Sequence, residues 1–249
     1  MRSRRRTPAQ RRGPLRRGAA LTVVFLACTL PSIATPDPLP SPWQHVPLNA
    51  SKPRTQYGLG ALQGWSTAAA DVLSARSDGA ASMAIQAASV DLGIAPVVTW
   101  RWLIHTQPDT PDIATAARED AAARVIFFFD GDRKRLPWTD RVVMAAADSL
   151  GSRPMPYATL MYVCAPGRTV DEILPNPYTR RIRMIVVDPS DPAGLPAWRE
   201  FRRNLRDDYR RAFGEEPGPV LGWGVMTDSD NTRSRAEASY AAFRFLPAP

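Results

Sequence analysis

The sequence predicts a mainly β protein, an antiparallel β-sandwich or jelly roll with one long amphipathic helix and a second, shorter helix. Apolar and polar residues alternate in many short runs, which is the period of a half-buried strand. Strands and helices do not alternate regularly along the chain, so a parallel α/β sheet is not expected. Only one long stretch carries apolar residues at a clear helical spacing. Together these observations favour two packed sheets.

The chain carries about eight or nine strand patterns, separated by Pro, Gly and Asp. The run 124–129 is apolar on both faces, which predicts a central strand that is covered on both sides. In the run 221–226, Gly222 and Gly224 occupy one face, which indicates close approach by another segment. The other strong patterns are residues 98–104, 160–164, 181–186 and 241–245, and weaker ones are 43–48, 71–74 and 82–87.

The long helix is predicted from an apolar stripe at helical spacing. Pro196 suits its first turn and Gly214 suits its C-terminal cap. A second helix is predicted over residues 138–150, where an Ala run favours it. Residues 113–123 are also rich in Ala but lead directly into a strand, so their structure is left open. The stripe of the long helix consists of Trp198, Phe201, Leu205, Tyr209 and Ala212.

The first 34 residues have the three parts of an export signal. They hold eight arginines and no acid, then an apolar run at 18–30, then Ser32-Ile33-Ala34, after which we expect cleavage. Removing those eight from the 32 basic residues leaves 24, which equals the number of acidic residues. The high pI therefore describes the signal, and a nucleic-acid partner is not expected. Lipidation of Cys28 and an uncleaved anchor remain open alternatives.

The predicted organisation is a signal peptide at 1–34, a Pro-rich spacer at 35–42 and a single β-sandwich domain at 43–249. We expect a periplasmic or secreted monomer with no transmembrane span in the mature chain. After cleavage Cys164 is the only thiol, which excludes an internal disulfide. Its place on an apolar strand predicts a buried, inert thiol. His45 and His105 lie in no recognisable motif, and no zinc cluster or phosphate-binding Gly loop is present.

All seven tryptophans of the chain lie beyond the signal. Trp100, Trp102 and Trp198 fall on predicted apolar faces, and we expect them in the core. The positions of Trp43, Trp65 and Trp138 are not determined by the pattern.

Five blocks of sequence carry a family resemblance: Thr-Trp-Arg-Trp at 99–102, residues 118–125, Asn-Pro-Tyr-Thr at 176–179, and residues 208–217 and 226–232. They resemble the landmarks of domain-of-unknown-function family 3047, and the resemblance extends from about Trp43 to Phe245. It implies exported bacterial proteins without an assigned activity and a β-sandwich like that of carbohydrate-binding modules. Two departures are visible: Arg-Glu-Asp-Ala at 118–121 replaces the family's Gly-Asp-Asp-Phe, and the segment 131–150 is longer.

The best candidate site is the run Thr-Asp-Ser-Asp-Asn-Thr at 227–232, which directly follows a strand. Its carboxylates and amide offer oxygen ligands to Ca²⁺ or hydrogen bonds to sugar hydroxyls. The alternative is an Asx or Ser/Thr turn whose side chains bond their own backbone. No cofactor is expected, with Ca²⁺ at Asp228 and Asp230 left open. The candidate binding residues are Asp228, Asp230, Asn231, Thr232, Asp120 and Arg124.

Two functions are compatible with these residues. The first is a non-catalytic binding or envelope-associated module whose partner is a glycan or an envelope component. The alternative is a carboxylate-dependent glycan hydrolase, which needs two acids flanking the scissile bond. A cleft that brings acids of this pool together favours the hydrolase, and a buried turn favours the binding module. The pool consists of Glu119, Asp120, Asp228 and Asp230.

Overall fold

The predicted fold class is confirmed by a computed structural model, which describes residues 39–48, 51–60, 71–150, 154–190 and 197–248. In this part of the chain, twelve strands form two sheets, and two α-helices lie outside them. The strands are β1 Gln44–Pro47, β2 Gln56–Leu59, β3 Leu73–Asp78, β4 Ser82–Val90, β5 Val97–Thr106, β6 Arg124–Phe129, β7 Ala158–Cys164, β8 Ile173–Asn176, β9 Thr179–Asp188, β10 Arg199–Asn204, β11 Val220–Met226 and β12 Arg235–Leu246; the helices are α1 Trp138–Leu150 and α2 Leu205–Phe213.

The large sheet has the strand order β1-β4-β11-β6-β7-β9-β8, and the small sheet has the order β10-β5-β12-β3-β2. All neighbouring strands are antiparallel except β7 and β9, which are parallel. The large sheet is therefore mixed at this one pair. The chain leaves β7, forms the edge strand β8 and returns as β9 between β8 and β7, which makes β9 parallel to β7.

The main core lies between the two sheets and is rich in aromatic rings. Trp100 and Trp102 are buried there, as expected, and Trp100 stacks on Tyr162 with ring centroids 5.0 Å apart. A second apolar cluster covers the outer face of the large sheet, where Ile126 and Met161 pack with Ile113. The strand β6 is consequently buried on both faces, which confirms the prediction made from the run 124–129.

The long helix predicted from Pro196 onward is wrong in its first half. Residues 199–204 form the edge strand β10, which pairs with β5 so that Phe201 lies opposite Trp100. Pairing with β5 satisfies the backbone donors and acceptors that face β5 and packs the half-buried Phe201 against the two core tryptophans. The helix α2 starts only after Asn204, whose side chain accepts from the Asp207 amide, and ends at Gly214 with φ of 71°.

Three further expectations can be compared with the structure. Trp198 is exposed, with the Arg101 guanidinium 4.7 Å from its ring centroid, so its assignment to the core is wrong. The shorter helix is confirmed as α1, and residues 113–123 are irregular apart from a 3₁₀ turn at Ala116–Arg118. Gly224 does meet a close neighbour: a Cβ there would lie 2.5 Å from the Ala84 carbonyl oxygen of β4.

Several expectations fall on residues outside those described, namely the signal at 1–34 with Cys28, most of the spacer at 35–42, and Trp65. These remain predictions. Of the other two undetermined tryptophans, Trp43 packs edge-on against Trp223, and Trp138 is exposed. In the described part of the chain, no helix is long and apolar enough to cross a membrane.

Candidate functional site

Arg124 lies at the centre of the predicted site. It is the first residue of β6, and its side chain is buried on the outer side of the large sheet beside Met161 and Met184. Its Nε and Nη2 atoms donate to the two carboxylate oxygens of Asp228 at 3.0 and 3.1 Å. Its Nη1 donates to Glu119 Oε1 at 2.8 Å, and Nη2 also donates to the Glu119 carbonyl oxygen at 2.9 Å. One guanidinium therefore joins two acids from different segments.

Asp120 holds the end of the loop that follows β11. Its carboxylate accepts from the backbone amides of Asn231 at 3.2 Å and Thr232 at 2.6 Å. The Asn231 side-chain amide in turn donates to the Ala116 carbonyl oxygen at 2.6 Å. These contacts tie the segment before β6 to the segment after β11, so the sequence-distant candidates lie in one cluster.

Asp230 is half-buried and forms an ion pair with Lys52. The carboxylate oxygens of Asp120, Asp228 and Asp230 lie within 4.8 Å of one another, which makes them the candidate metal ligands in the described residues. Most of these oxygens already accept hydrogen bonds, from Arg124 at Asp228 and from backbone amides at Asp120. Calcium takes about six to eight oxygen ligands, so this trio alone offers too few open positions.

The sequence reasoning missed two residues of the cluster. Asn176 donates its side-chain amide to Glu119 Oε1 at 3.1 Å, and it belongs to the Asn-Pro-Tyr-Thr block of the resemblance. That block was therefore a usable signal, although no role was assigned to it. Lys52 lies in a loop between β1 and β2 and carries no pattern that would point to Asp230.

The electrostatics of the cluster raise the pKa of Asp228 from its ordinary value of 3.8 to about 7. Burial is the largest cause, and the charges of Glu119 and Asp120 act in the same direction against the lowering effect of Arg124. Burial also opposes the charge of Arg124, but its pairing with Asp228 and Glu119 outweighs that and raises its pKa. One buried cation thus faces several carboxylates, and this excess of negative charge adds to burial in raising the pKa of Asp228.

The accessibility of the cluster limits what it can do chemically. Asp120 and Asp228 are 0% and 2% exposed, and Glu119 is 9% exposed. A hydrolase needs one carboxyl to donate a proton and the other to attack or activate water at the sugar. Acids that face Arg124 and backbone amides cannot reach a polysaccharide in this conformation. The arrangement is that of a structural clamp with a buried turn.

The clearest surface cavity lies elsewhere, on the outer face of β1, β4, β11 and β6. This outer groove has a volume of about 790 Å³. Its floor is mostly apolar, and its rim carries polar and charged side chains. Sequence reasoning did not find it, although the outward positions of these strands include large apolar residues. The groove is lined by Gln44, Val46, Pro47, Leu48, Met83, Ile85, Gln86, Ala87, Phe128, Asp130, Arg133, Pro154, Met155, Pro156, Tyr157, Leu221 and Gly222.

The other side chains that could take part in a reaction, those of Cys164, His45 and His105, contact neighbouring side chains of the fold. Cys164 is buried at the end of β7, where the Gln107 amide lies 3.1 Å from its sulfur atom. His45 bonds Ser82 Oγ at 2.8 Å, and His105 bonds Ser239 Oγ at 3.0 Å. Burial is the first cause that lowers the pKa of each imidazole.

Fold and site together define a two-sheet β-sandwich in which a buried arginine clamps the loops at one end of the large sheet. The chain matches a family described as protein of unknown function (DUF3047) over residues 41–244, and it belongs to that family. The comparison with curated proteins found no match.

Proposed function

We propose that the protein is an exported, non-catalytic binding module that holds a glycan in the outer groove. The observation that carries this proposal is the groove itself, about 790 Å³ of open space on one sheet face. Binding sites are concave surfaces with an apolar lining and a few convergent polar groups. The Arg-rich start of the chain supports export, and the resemblance of the expected fold to carbohydrate-binding modules is the reason for choosing a glycan as the class of ligand.

The floor of the groove suits the apolar faces of sugar rings. Phe128 of β6 and Ile85 of β4 are half-buried there, and Leu221 of β11 is exposed. Gly222 lies between them and presents no side chain, so the floor is low beside β4. Tyr157 adds a half-buried aromatic ring at the rim. A pyranose ring can contact such a surface through its C–H groups and aromatic stacking.

Hydrogen-bonding groups surround this floor. Gln44 lies on the strand side, and Asp130 and Arg133 lie in the segment after β6. Amide, carboxylate and guanidinium groups bind hydroxyls with defined geometry, which fixes the orientation of a ligand whose ring rests on the apolar floor. The combination supports a sugar more than a purely apolar ligand.

The hydrolase alternative has less support. The acids of the pool do come close together, as that alternative requires. Three of them are buried and bonded to Arg124, to Asn176 or to backbone amides, namely Glu119, Asp120 and Asp228. The fourth, Asp230, is half-buried and paired with Lys52. None of Glu119, Asp120, Asp228 or Asp230 lines the outer groove. A carboxyl must contact the glycosidic oxygen to act as a general acid.

A glycan array tests the proposal, with Leu221→Glu as the groove variant. Leu59→Glu on β2 is the matched control, since Leu59 and Leu221 are similarly exposed at 40% and 48%. We expect wild type and the control to bind the same glycans and the groove variant to lose them. Absence of any glycan ligand, or equal binding by the groove variant, would overturn the proposal. Sugar release that disappears in Asp228→Asn would favour the hydrolase instead.

Export is tested separately by mass spectrometry of the envelope fraction. We expect a mature N-terminus at or near Thr35. A full-length cytoplasmic product would contradict export, and an acylated Cys28 would replace the predicted cleavage with lipoprotein processing.

A further inference from the structure

The outward face of α1 is apolar, which is the reverse of an ordinary surface helix. Trp138 and Val142 are one turn apart and are 69% and 57% exposed, while Val143 beside them is 42% exposed. The half-buried side of the same helix carries Asp140 and Asp148, next to buried Met144. A helix on a protein surface normally turns its apolar stripe inward and its charges outward. This exposed face is therefore unexplained by the packing of the sandwich.

A second element extends the apolar surface. Tyr178, in the turn between β8 and β9, is 62% exposed. It lines a wide cavity of about 890 Å³ together with Pro137 and Val143. We call Trp138, Val142, Val143 and Tyr178 the helix patch. Val143 connects the two parts, since it lies beside Val142 on the helix and shares the cavity with Tyr178. Large exposed apolar side chains grouped in this way mark an interaction site.

Basic side chains surround the helix patch. Lys134 and Arg141 lie together in a small hollow against Met144, and Arg180 lines the wide cavity. These three, with Arg135, are exposed and have no carboxylate partner among the residues described. Of the acids nearby, Asp148 pairs with Arg133, and Asp132 caps the 3₁₀ turn at Arg133–Arg135. Asp140 is the one acid that lines the wide cavity with Arg180, and the basic side chains of the rim outnumber it. The rim is thus effectively cationic.

We propose that the helix patch docks on an anionic lipid surface. A short helix with Trp on one face and Lys or Arg beside it binds in the interfacial plane of a bilayer, where indole is favoured and cations meet lipid phosphates. At 13 residues α1 is about 20 Å long, too short to cross a bilayer core, so it would lie on the surface. A second copy of the chain fits less well, because two cationic rims would face each other.

The inference does not depend on the ligand of the outer groove. The two surfaces have different linings, and α1 contributes none of the groove residues. Failure of one proposal therefore leaves the other standing.

Vesicle co-sedimentation of the full chain tests the inference. The probes are vesicles of phosphatidylcholine with phosphatidylglycerol, and vesicles of phosphatidylcholine alone. The arginines of the signal would also bind anionic lipid, but they are common to every variant, so only differences between variants are interpreted. The patch variant is Trp138→Ser with Val142→Ser, and the control is Ile94→Ser, which is 71% exposed in the loop between β4 and β5.

We expect the patch variant to bind mixed vesicles about tenfold more weakly than wild type, because two membrane-contacting apolar side chains are removed. The control should bind like wild type. Lys134→Glu with Arg141→Glu should weaken binding to the mixed vesicles and leave the weak binding to phosphatidylcholine unchanged. Melting temperatures should stay close to wild type because all four positions are exposed.

Equal binding by wild type and the patch variant would overturn the proposal. So would concentration-dependent self-association that Trp138→Ser abolishes, since that result would assign the helix patch to a second copy of the chain.

Discussion

Arg124 and Asp228 form a two-point ion pair between the start of one central strand and the end of its neighbour. Arg124 lies opposite Met226 in the β6–β11 ladder, and Asp228 follows two residues later. The side chains are 1% and 2% exposed, with donor–acceptor distances of 3.0 and 3.1 Å. The loop after β11 is thereby fixed over the end of the sheet, and the order of Asn231 and Thr232 depends on the same cluster through Asp120.

The two aspartates of the loop should differ strongly in their effect on stability. Asp228→Ala leaves a buried guanidinium with one carboxylate fewer, and we expect the free energy of unfolding to fall by about 3–5 kcal/mol. Asp230→Ala removes only a partly exposed pair with Lys52, which should cost less than about 1 kcal/mol. Urea unfolding measures both. Similar losses in the two variants would mean that the cluster does not clamp the fold through Arg124.

The raised pKa of Asp228 predicts the sign of a pH dependence. Its pKa in the folded state, about 7, is above its ordinary value of 3.8, so between these values the folded state holds a proton that the unfolded state releases. The contribution of Asp228 to stability therefore falls as pH rises from about 4 through 7, and stays constant above that. Over this pH range we therefore expect the free energy of unfolding of wild type to fall relative to that of Asp228→Asn.

The comparison with Asp228→Asn is needed because His45 and His105 change the stability with pH in the direction opposite to Asp228. Burial lowers the pKa of His45 and His105 below 6.5, so their contribution is lost as pH falls. Both histidines are present in wild type and variant, and their effect cancels in the difference. If wild type instead gains stability relative to Asp228→Asn as the pH rises, Arg124 holds Asp228 as a carboxylate with a depressed pKa.

Calcium should not stabilise the folded protein. The three clustered aspartates lie close enough to share an ion, but Arg124 and two backbone amides already occupy oxygens of Asp228 and Asp120. Melting temperatures measured with millimolar Ca²⁺ and with EDTA should agree. A rise in calcium that Asp230→Ala abolishes would instead assign a metal site to the cluster, by linkage of binding to folding.

The sequence predicts the position of the candidate site better than the interactions that its residues make. The run 227–232 could be singled out because it is a dense run of short oxygen-bearing side chains directly after a strand pattern. Both this run and Asp120 also lie in blocks that resemble the family. Their role as partners of Arg124 depends on the pairing of β6 with β11, which brings together residues about a hundred positions apart. Lys52 could not be found, since no local pattern connects an isolated lysine to an aspartate in a distant loop.

The segment before α2 shows why a periodic pattern can mislead. Trp198, Phe201 and Leu205 have helical spacing, yet only Leu205 lies in a helix. In β10 the apolar Phe201 faces the core while exposed Arg202 points away, which is equally compatible with a strand. The segment forms a strand because it pairs with the edge of the sheet at β5. Such a nonlocal pairing cannot be deduced from the spacing of apolar residues alone.

Strand β10 supplies a direct test of this corrected assignment. Phe201→Ala removes a ring whose centroid lies 5.1 Å from that of Trp100 and 4.5 Å from that of Trp102, and it should cost about 2–4 kcal/mol. Arg202→Ala is the control on the same strand, where an exposed side chain should cost about 0.5 kcal/mol or less. Thermal and urea unfolding should give the same ranking. Equal costs would contradict the inward orientation of Phe201.

Cys164 should react with a thiol reagent only when the protein unfolds. The side chain is 1% exposed at the end of β7, in an apolar strand where burial disfavours the reactive thiolate, and its sulfur atom contacts the Gln107 amide. Native protein should therefore show little adduct at Cys164 over a time in which protein in urea is fully labelled. Peptide mapping by mass spectrometry separates this thiol from Cys28 wherever the signal is retained. Rapid labelling of Cys164 in the native protein, at a rate similar to that in urea, would show an accessible thiolate and revive a thiol-based function at this end of the large sheet.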